Sequence, residues 1–210
     1  MAVMNGNGAL IAGASGLVGQ ALIGRFLADN SYSNVIALGR TNLWEAEDRV
    51  AFLATNFIDF PNISVPINTA FCALGTTMKK AGSKKAFREV DHDFVINYAV
   101  FCKSIGVDNF VLVSSIGANP KSLIFYNRIK GQVEQSIKEM SFNHLQIYRP
   151  SLLIGQRQET RTLEQLGQAA YRIIGKGRLR RFLGTPVEGL ADRMIDNSLL
   201  AEDGVQIFSY

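Results

Sequence analysis

The chain is poor in residues that staple a fold. It has two cysteines, Cys72 and Cys102, in 210 residues. They form no CxxC pair and no Cys/His cluster, so neither a zinc site nor a redox dithiol is indicated. Two buried, reduced thiols in a reducing compartment are expected instead. Histidine is as scarce. His92 and His144 have no metal partner at a useful sequence spacing and read as structural residues. Trp44 is the only tryptophan, expected near the loop after the second strand. No apolar run approaches the roughly 20 residues that span a bilayer. The opening MAVMNGNGALIAGASG has no positive n-region, and glycines break its apolar run, so it does not read as a signal peptide. These absences place the chain in the cytoplasm, away from membranes. A long basic tail is also missing. The formal charge of +4 suits anionic ligands better than nucleic acid. The run Lys176 to Arg181 is the densest basic stretch, and no nucleic-acid motif accompanies it.

With 47% hydrophobic and 19% charged residues, the chain is globular rather than disordered. It is long enough to bury a full core. A single domain over 1–210 is expected. Short β-rich runs are expected at Ala9–Ala12, Val35–Leu38, Val50–Phe57, Ile67–Leu74, Phe110–Val113 and Leu145–Tyr148, with a last edge strand at Val205–Tyr210. Helical periodicity falls between them, at Leu17–Ala28, Lys84–Ile105 and Leu123–Met140. Such alternation predicts a doubly wound parallel sheet in a three-layer α/β/α sandwich, because parallel strands need crossover connections. After Gly155 the rhythm weakens. Helices at Leu163–Ile174 and Val187–Leu200 would make a small substrate-side cap over 156–200.

The first strand runs into Gly13-Ala14-Ser15-Gly16-Leu17-Val18-Gly19. Glycines between a strand and a helix allow a tight turn, close approach of a diphosphate and close helix–sheet packing. The helix N-terminus then offers free N–H groups to the phosphates. All seven residues are candidate cofactor contacts. The second strand ends in Gly39-Arg40-Thr41. An NAD-selective site carries an acidic residue there, whereas Arg40 would attract a 2′-phosphate and stack on adenine. NADP(H) is therefore expected over NAD(H). The fourth strand ends in Leu74-Gly75-Thr76-Thr77, at the sheet edge where such ligands lie, so these four are candidate contacts too.

The fifth strand leads to Ser114-Ser115. Tyr126 and Lys130 follow on one helix, four residues apart and so on one face. An ammonium beside a phenol stabilises phenolate and makes Tyr126 a general acid/base. A serine hydroxyl at the strand end can polarise a carbonyl, and Lys130 can also hold a ribose. No metal is called for.

The segments GASGLVG, LGR, FCALGTT, VLVSSIGANPKS, FYNRIKGQVE and YRPSLLIG resemble an atypical short-chain dehydrogenase/reductase, of the Tat-interacting oxidoreductase kind. The resemblance implies a Rossmann domain with Ser115, Tyr126 and Lys130 as the catalytic trio and Tyr126 as proton donor. Ser114 competes for the serine role, and the second serine usually has it in such enzymes. The resemblance puts Pro150 beside the nicotinamide. It puts Asn56 or Asp59 where relatives often carry an Asp near the adenine. Family habit suggests a homodimer. The expected activity is NADPH-dependent reduction of a small-molecule carbonyl. The alternative is an NADP(H)-sensing regulator that binds a protein partner with little turnover.

Overall fold

The structure, a computed structural model, describes residues 7–41, 49–155, 184–200 and 202–210. A seven-stranded sheet forms its centre. Strands β1 (Gly8–Ala12), β2 (Asn34–Gly39), β3 (Val50–Ala54), β4 (Thr69–Cys72), β5 (Asn109–Val113), β6 (His144–Arg149) and β9 (Gly204–Ser209) lie in the order β3-β2-β1-β4-β5-β6-β9. Every pairing is parallel. The chain winds from β1 out to β3, then returns to add β4 on the other side of β1. That reversal leaves a crevice at the carboxyl ends of β1 and β4.

Parallel strands are covered on both faces, which is why β1 is buried at every residue. Side chains alternate across the sheet. Ala9 and Ile11 join the core under α1 (Leu17–Ala28) and α6 (Val187–Leu199), together with Leu22, Phe26, Met194 and Ile195. Leu10 and Ala12 join the opposite core with Tyr98, Cys102, Val133 and Ile137. These last four come from α4 (Phe94–Ser104) and α5 (Phe125–Glu139). The expected three-layer sandwich is thus present. Cys72 and Cys102 are free and buried.

Several elements differ from expectation for local reasons. The helix expected from Lys84 to Ile105 is broken into α3 (Lys84–Arg88), a π turn at Glu89–Asp93, and α4. A short α2 (Met78–Ala81) precedes it, capped by the Thr77 hydroxyl, which accepts the Lys80 N–H. The third strand stops at Ala54 because Thr55–Asp59 form a turn, with Phe57 at φ 63°. The helix α5 starts at Phe125, since Leu123 is exposed and the Ser122 hydroxyl accepts the Ile124 N–H.

The last strand, β9, is the edge strand that was expected. A two-residue pair, β7 (Leu153–Ile154) with β8 (Thr185–Pro186), was not expected. The helix α6 packs its apolar stripe on α1, so this part of the expected cap belongs to the sandwich. The helix expected at Leu163–Ile174, the basic run Lys176 to Arg181, and Trp44 lie outside the described residues. Among the described residues no helix is long and apolar enough to cross a membrane.

Candidate active site

A cleft of about 330 Å³ opens at the β1/β4 reversal. Its floor is the glycine loop. Gly13 sits at φ 86°, a region that disfavours side chains. A Cβ there would stand 2.5 Å from the Ala73 carbonyl. A Cβ on Gly19 would stand 2.2 Å from the Gly13 oxygen. Both glycines are therefore demanded by close main-chain approach. Gly16 donates its N–H to Gly13 at 3.0 Å and caps α1 with no side-chain hydrogen bond. The first-turn N–H groups of Leu17, Val18 and Gly19 have no partner within their own helix.

Of the residues expected to hold a cofactor, Gly13, Ala14, Ser15, Gly16, Arg40, Thr41, Leu74 and Gly75 line the cleft. Arg40 and Thr41 are exposed at its β2 end. Beyond this lining, the Thr76 N–H donates to Asp91, and the Thr77 hydroxyl caps α2. Asn56 is not among the residues that line the cleft. Its side chain is spent in its own turn, where Oδ1 accepts the Ile58 and Asp59 N–H groups at 2.8 and 2.7 Å. Its Nδ2 donates to one oxygen of the exposed Asp59 carboxylate at 3.1 Å. The cleft wall at this end is instead Phe57, 3% exposed, with Phe52 and Leu38.

The other half of the site is a set of side chains from β5, α5 and the π turn. The Tyr126 ring packs against Phe87, with centroids 5.7 Å apart. Lys130, one turn further along α5, is 6% exposed. Its ammonium meets Asp91 Oδ1 at 2.9 Å, and Asp91 Oδ2 accepts the Thr76 N–H at 2.7 Å. Burial opposes the charge on Lys130, but the field of Asp91, helped by Tyr126, holds its proton more tightly than in an ordinary lysine. Asp91 was not expected from sequence. It reads there as one charge among several on a helix, and only the π turn carries it inward.

The two serines are now distinguished. Ser114 Oγ donates to the buried Glu134 carboxylate at 2.5 Å. Arg149 grips the same carboxylate, Nε to Oε1 at 2.9 Å and Nη2 to Oε2 at 2.5 Å. Ser115 Oγ is buried and has no hydrogen-bond partner among the described residues. Its segment is pinned by the Ile116 N–H, which donates to the Pro150 carbonyl at 2.9 Å. Pro150 thus supports the serine loop through its main chain. Gly131 lets that loop cross α5, because a Cβ there would meet Asn119 and Pro120 main chain at 2.2 Å.

The cleft suits a dinucleotide: it offers main chain at a helix N-terminus for a diphosphate and a cation at the β2 end.

The chain is similar to known proteins along most of its length. It is 35% identical over 171 residues to the protein HTATIP2 of Rattus norvegicus, covering 79% of this chain and 70% of the relative. It is 31% identical over 198 residues to the mitochondrial protein FMP52 of Saccharomyces cerevisiae, covering 89% and 83%. No family model matches. Among solved structures, a short chain dehydrogenase family protein from Francisella tularensis superposes with TM-score 0.66 at 14% identity, covering 96% of each chain. The structure of MoeE5 with UDP-glucose and NAD superposes with TM-score 0.71 at 17% identity, covering 96% of this chain and 75% of that one. Those two likenesses concern the fold, and the sequence relatives carry the kinship. The chain belongs to the HTATIP2/FMP52 family, and it is built on a doubly wound Rossmann fold.

Proposed function

We propose that the protein is an NADPH-dependent reductase of a carbonyl group on a small molecule. The observation that carries this reading is the Ser115 hydroxyl, buried without a partner next to the segment that leads to Tyr126 and Lys130. An unpaired buried hydroxyl is costly, and an incoming carbonyl oxygen is the acceptor that would relieve it. When bound, NADPH supplies the hydride, and its binding falls to Gly13, Gly16, Gly19, Arg40 and Gly75. Ser115 donates to the carbonyl oxygen and sets its orientation. Tyr126 gives that oxygen its phenolic proton, so ketone or aldehyde becomes alcohol. Lys130 stabilises the phenolate left behind until solvent returns a proton. Arg40 selects NADPH by pairing with the 2′-phosphate. The two thiols suit a reducing cytoplasm, and the mitochondrial label of the FMP52 proteins names the alternative address.

Calorimetric titration of cofactor-stripped protein with NADPH and NADH tests the cofactor half. NADPH is expected to bind more tightly, with the preference lost in Arg40→Ala. Reduction of a carbonyl panel tests the chemistry, with Tyr126→Phe expected to lower turnover about 10²–10⁴-fold. If neither nucleotide binds at millimolar concentration, the reading is wrong and a partner-binding role takes its place. Tight NADPH binding without turnover of any carbonyl would favour the NADP(H)-sensing regulator.

A further inference from the structure

The helix that follows β4 is not continuous. Between α3 and α4, Glu89–Asp93 take a single π turn, a feature that inserts a residue and is frequent at functional sites. The turn puts Asp91 inside, 1% exposed. Its two oxygens are divided between Lys130 Nζ at 2.9 Å and the Thr76 N–H at 2.7 Å. One carboxylate therefore joins the π turn, α5 and the loop after β4. Gly75 lies against the pair: a Cβ there would stand 3.3 Å from Asp91 Oδ1 and 3.7 Å from Lys130 Nζ. Gly75 is also part of the cleft wall. The ion pair thus sits directly behind the cleft surface.

A buried ion pair is a poor device for stability alone, because desolvation offsets most of the attraction. Another consequence follows from the charges around Lys130. Burial is the largest influence on its ammonium and opposes it. The groups that face it are Asp91 from the π turn, Tyr126 from α5 and Cys72 from β4. The Cys72 thiol is pushed up to about 12 by burial and is neutral at working pH. Asp91 is the one carboxylate against Lys130 among the described residues.

We propose that Asp91 is a positioning residue that keeps Lys130 charged and fixed behind the cleft, and that it locks the loop after β4 to the same charge through Thr76. A lysine whose proton is held more tightly when folded keeps its ammonium through neutral and mildly alkaline pH. Without Asp91 the largest support for the ammonium is gone while the burial that opposes it remains, so the proton leaves at lower pH. The proposal about charge stands independently of the reaction. Its expression in turnover rests on the reading of Tyr126 and Lys130 given above.

The test is an NMR pH titration of lysine labelled with carbon-13 at Cε. The Lys130 resonance is assigned by its loss in Lys130→Met. In the wild-type protein it is expected to titrate above the ordinary lysine range. In Asp91→Asn it should titrate at lower pH, and in Asp91→Glu it should move back up. Equal titration in wild type and Asp91→Asn would overturn the proposal. If Asp91→Asn does not fold, the wild-type spectrum still decides, since a Lys130 titrating below the ordinary range overturns it too. With a working carbonyl substrate, kcat/KM of Asp91→Asn should fall about tenfold further at about pH 9 than at about pH 6. A purely structural defect would lower both alike, and that result would overturn the positioning role. If the resonance behaves as expected in a protein that reduces no carbonyl, the charge-keeping role is supported and only the proposed reaction fails.

Discussion

The β1–β3 side of the sheet's carboxyl edge, which lines the cleft, presents mostly main chain, while the β4–β6 side presents buried side chains. In the first, Gly13 and Gly19 bring backbone to within contact of backbone, and the one candidate cation, Arg40, is exposed. In the second, Asp91 pairs with Lys130, and Glu134 takes both Ser114 and Arg149. The materials match the tasks. Diphosphates are recognised by N–H groups and a helix end, which any sequence supplies if no Cβ intrudes. Proton transfer needs particular side chains held in particular charge states. The first half should therefore be broken by added volume, and the second by altered charge.

The largest effect is expected from adding volume to the main-chain half. Gly13→Ala places a Cβ 2.5 Å from the Ala73 carbonyl at a backbone φ of 86°. Strain at such a φ is about 1–3 kcal/mol, and overpacking adds about 1–3 kcal/mol. The variant should lose several kcal/mol in urea unfolding and show no NADPH heat in calorimetry. A stable variant that still binds NADPH would show that the loop is not the cradle described.

Next in size is a change of charge in the side-chain half. Glu134 is 2% exposed and receives three hydrogen bonds, two of them from Arg149. Glu134→Ala strands a guanidinium and the Ser114 hydroxyl. Breaking a buried pair costs about 3–5 kcal/mol, and the lower end applies because Arg149 keeps 27% of its side chain in water. Double variant Glu134→Ala/Arg149→Met should recover part of that loss. Recovery would separate charge from packing, whereas an unchanged deficit would mean that Glu134 matters for shape alone.

The two halves also differed in how openly the sequence shows them. The glycine loop is legible because its spacing encodes a backbone path, and the strand before it and helix after it are local. The β4–β6 elements were legible too, since each is a short buried run between turn residues. The charge network was not. Asp91 reaches Lys130 from within a π turn, and periodicity assumes an unbroken helix. Glu134 and Arg149 meet across a strand and a helix, which no spacing rule reports. The preference for Ser115 over Ser114 rested on resemblance alone, because adjacent residues point to different sides and which side holds Glu134 is a tertiary fact. Asn56 is a different case. The run Asn56-Phe57-Ile58-Asp59 carries an Asx-turn signal, and that signal announces the local hydrogen bonds that Asn56 makes.

That last residue yields the smallest effect and a direct comparison of local with ligand-binding roles. Asn56 is exposed and accepts two main-chain N–H groups that close the turn behind Phe57. Asn56→Ala should lower unfolding stability by about 0.5–1.5 kcal/mol, the net value of hydrogen bonds in water-accessible turns. Thr55 and Asn97 still hold the turn, through Thr55 Oγ1 and through Asn97 Nδ2 on the Phe57 carbonyl at 2.9 Å. Phe57 should therefore stay in the cleft wall, and NADPH affinity should change by less than about twofold. Had Asn56 bonded the adenine instead, its loss would remove about 0.5–1.5 kcal/mol of binding and weaken NADPH by up to about tenfold. A drop in affinity with no drop in stability would return Asn56 to the nucleotide site. The reverse pattern would mean that its role ends with shaping the apolar wall, which gives the main-chain half its one large side-chain surface.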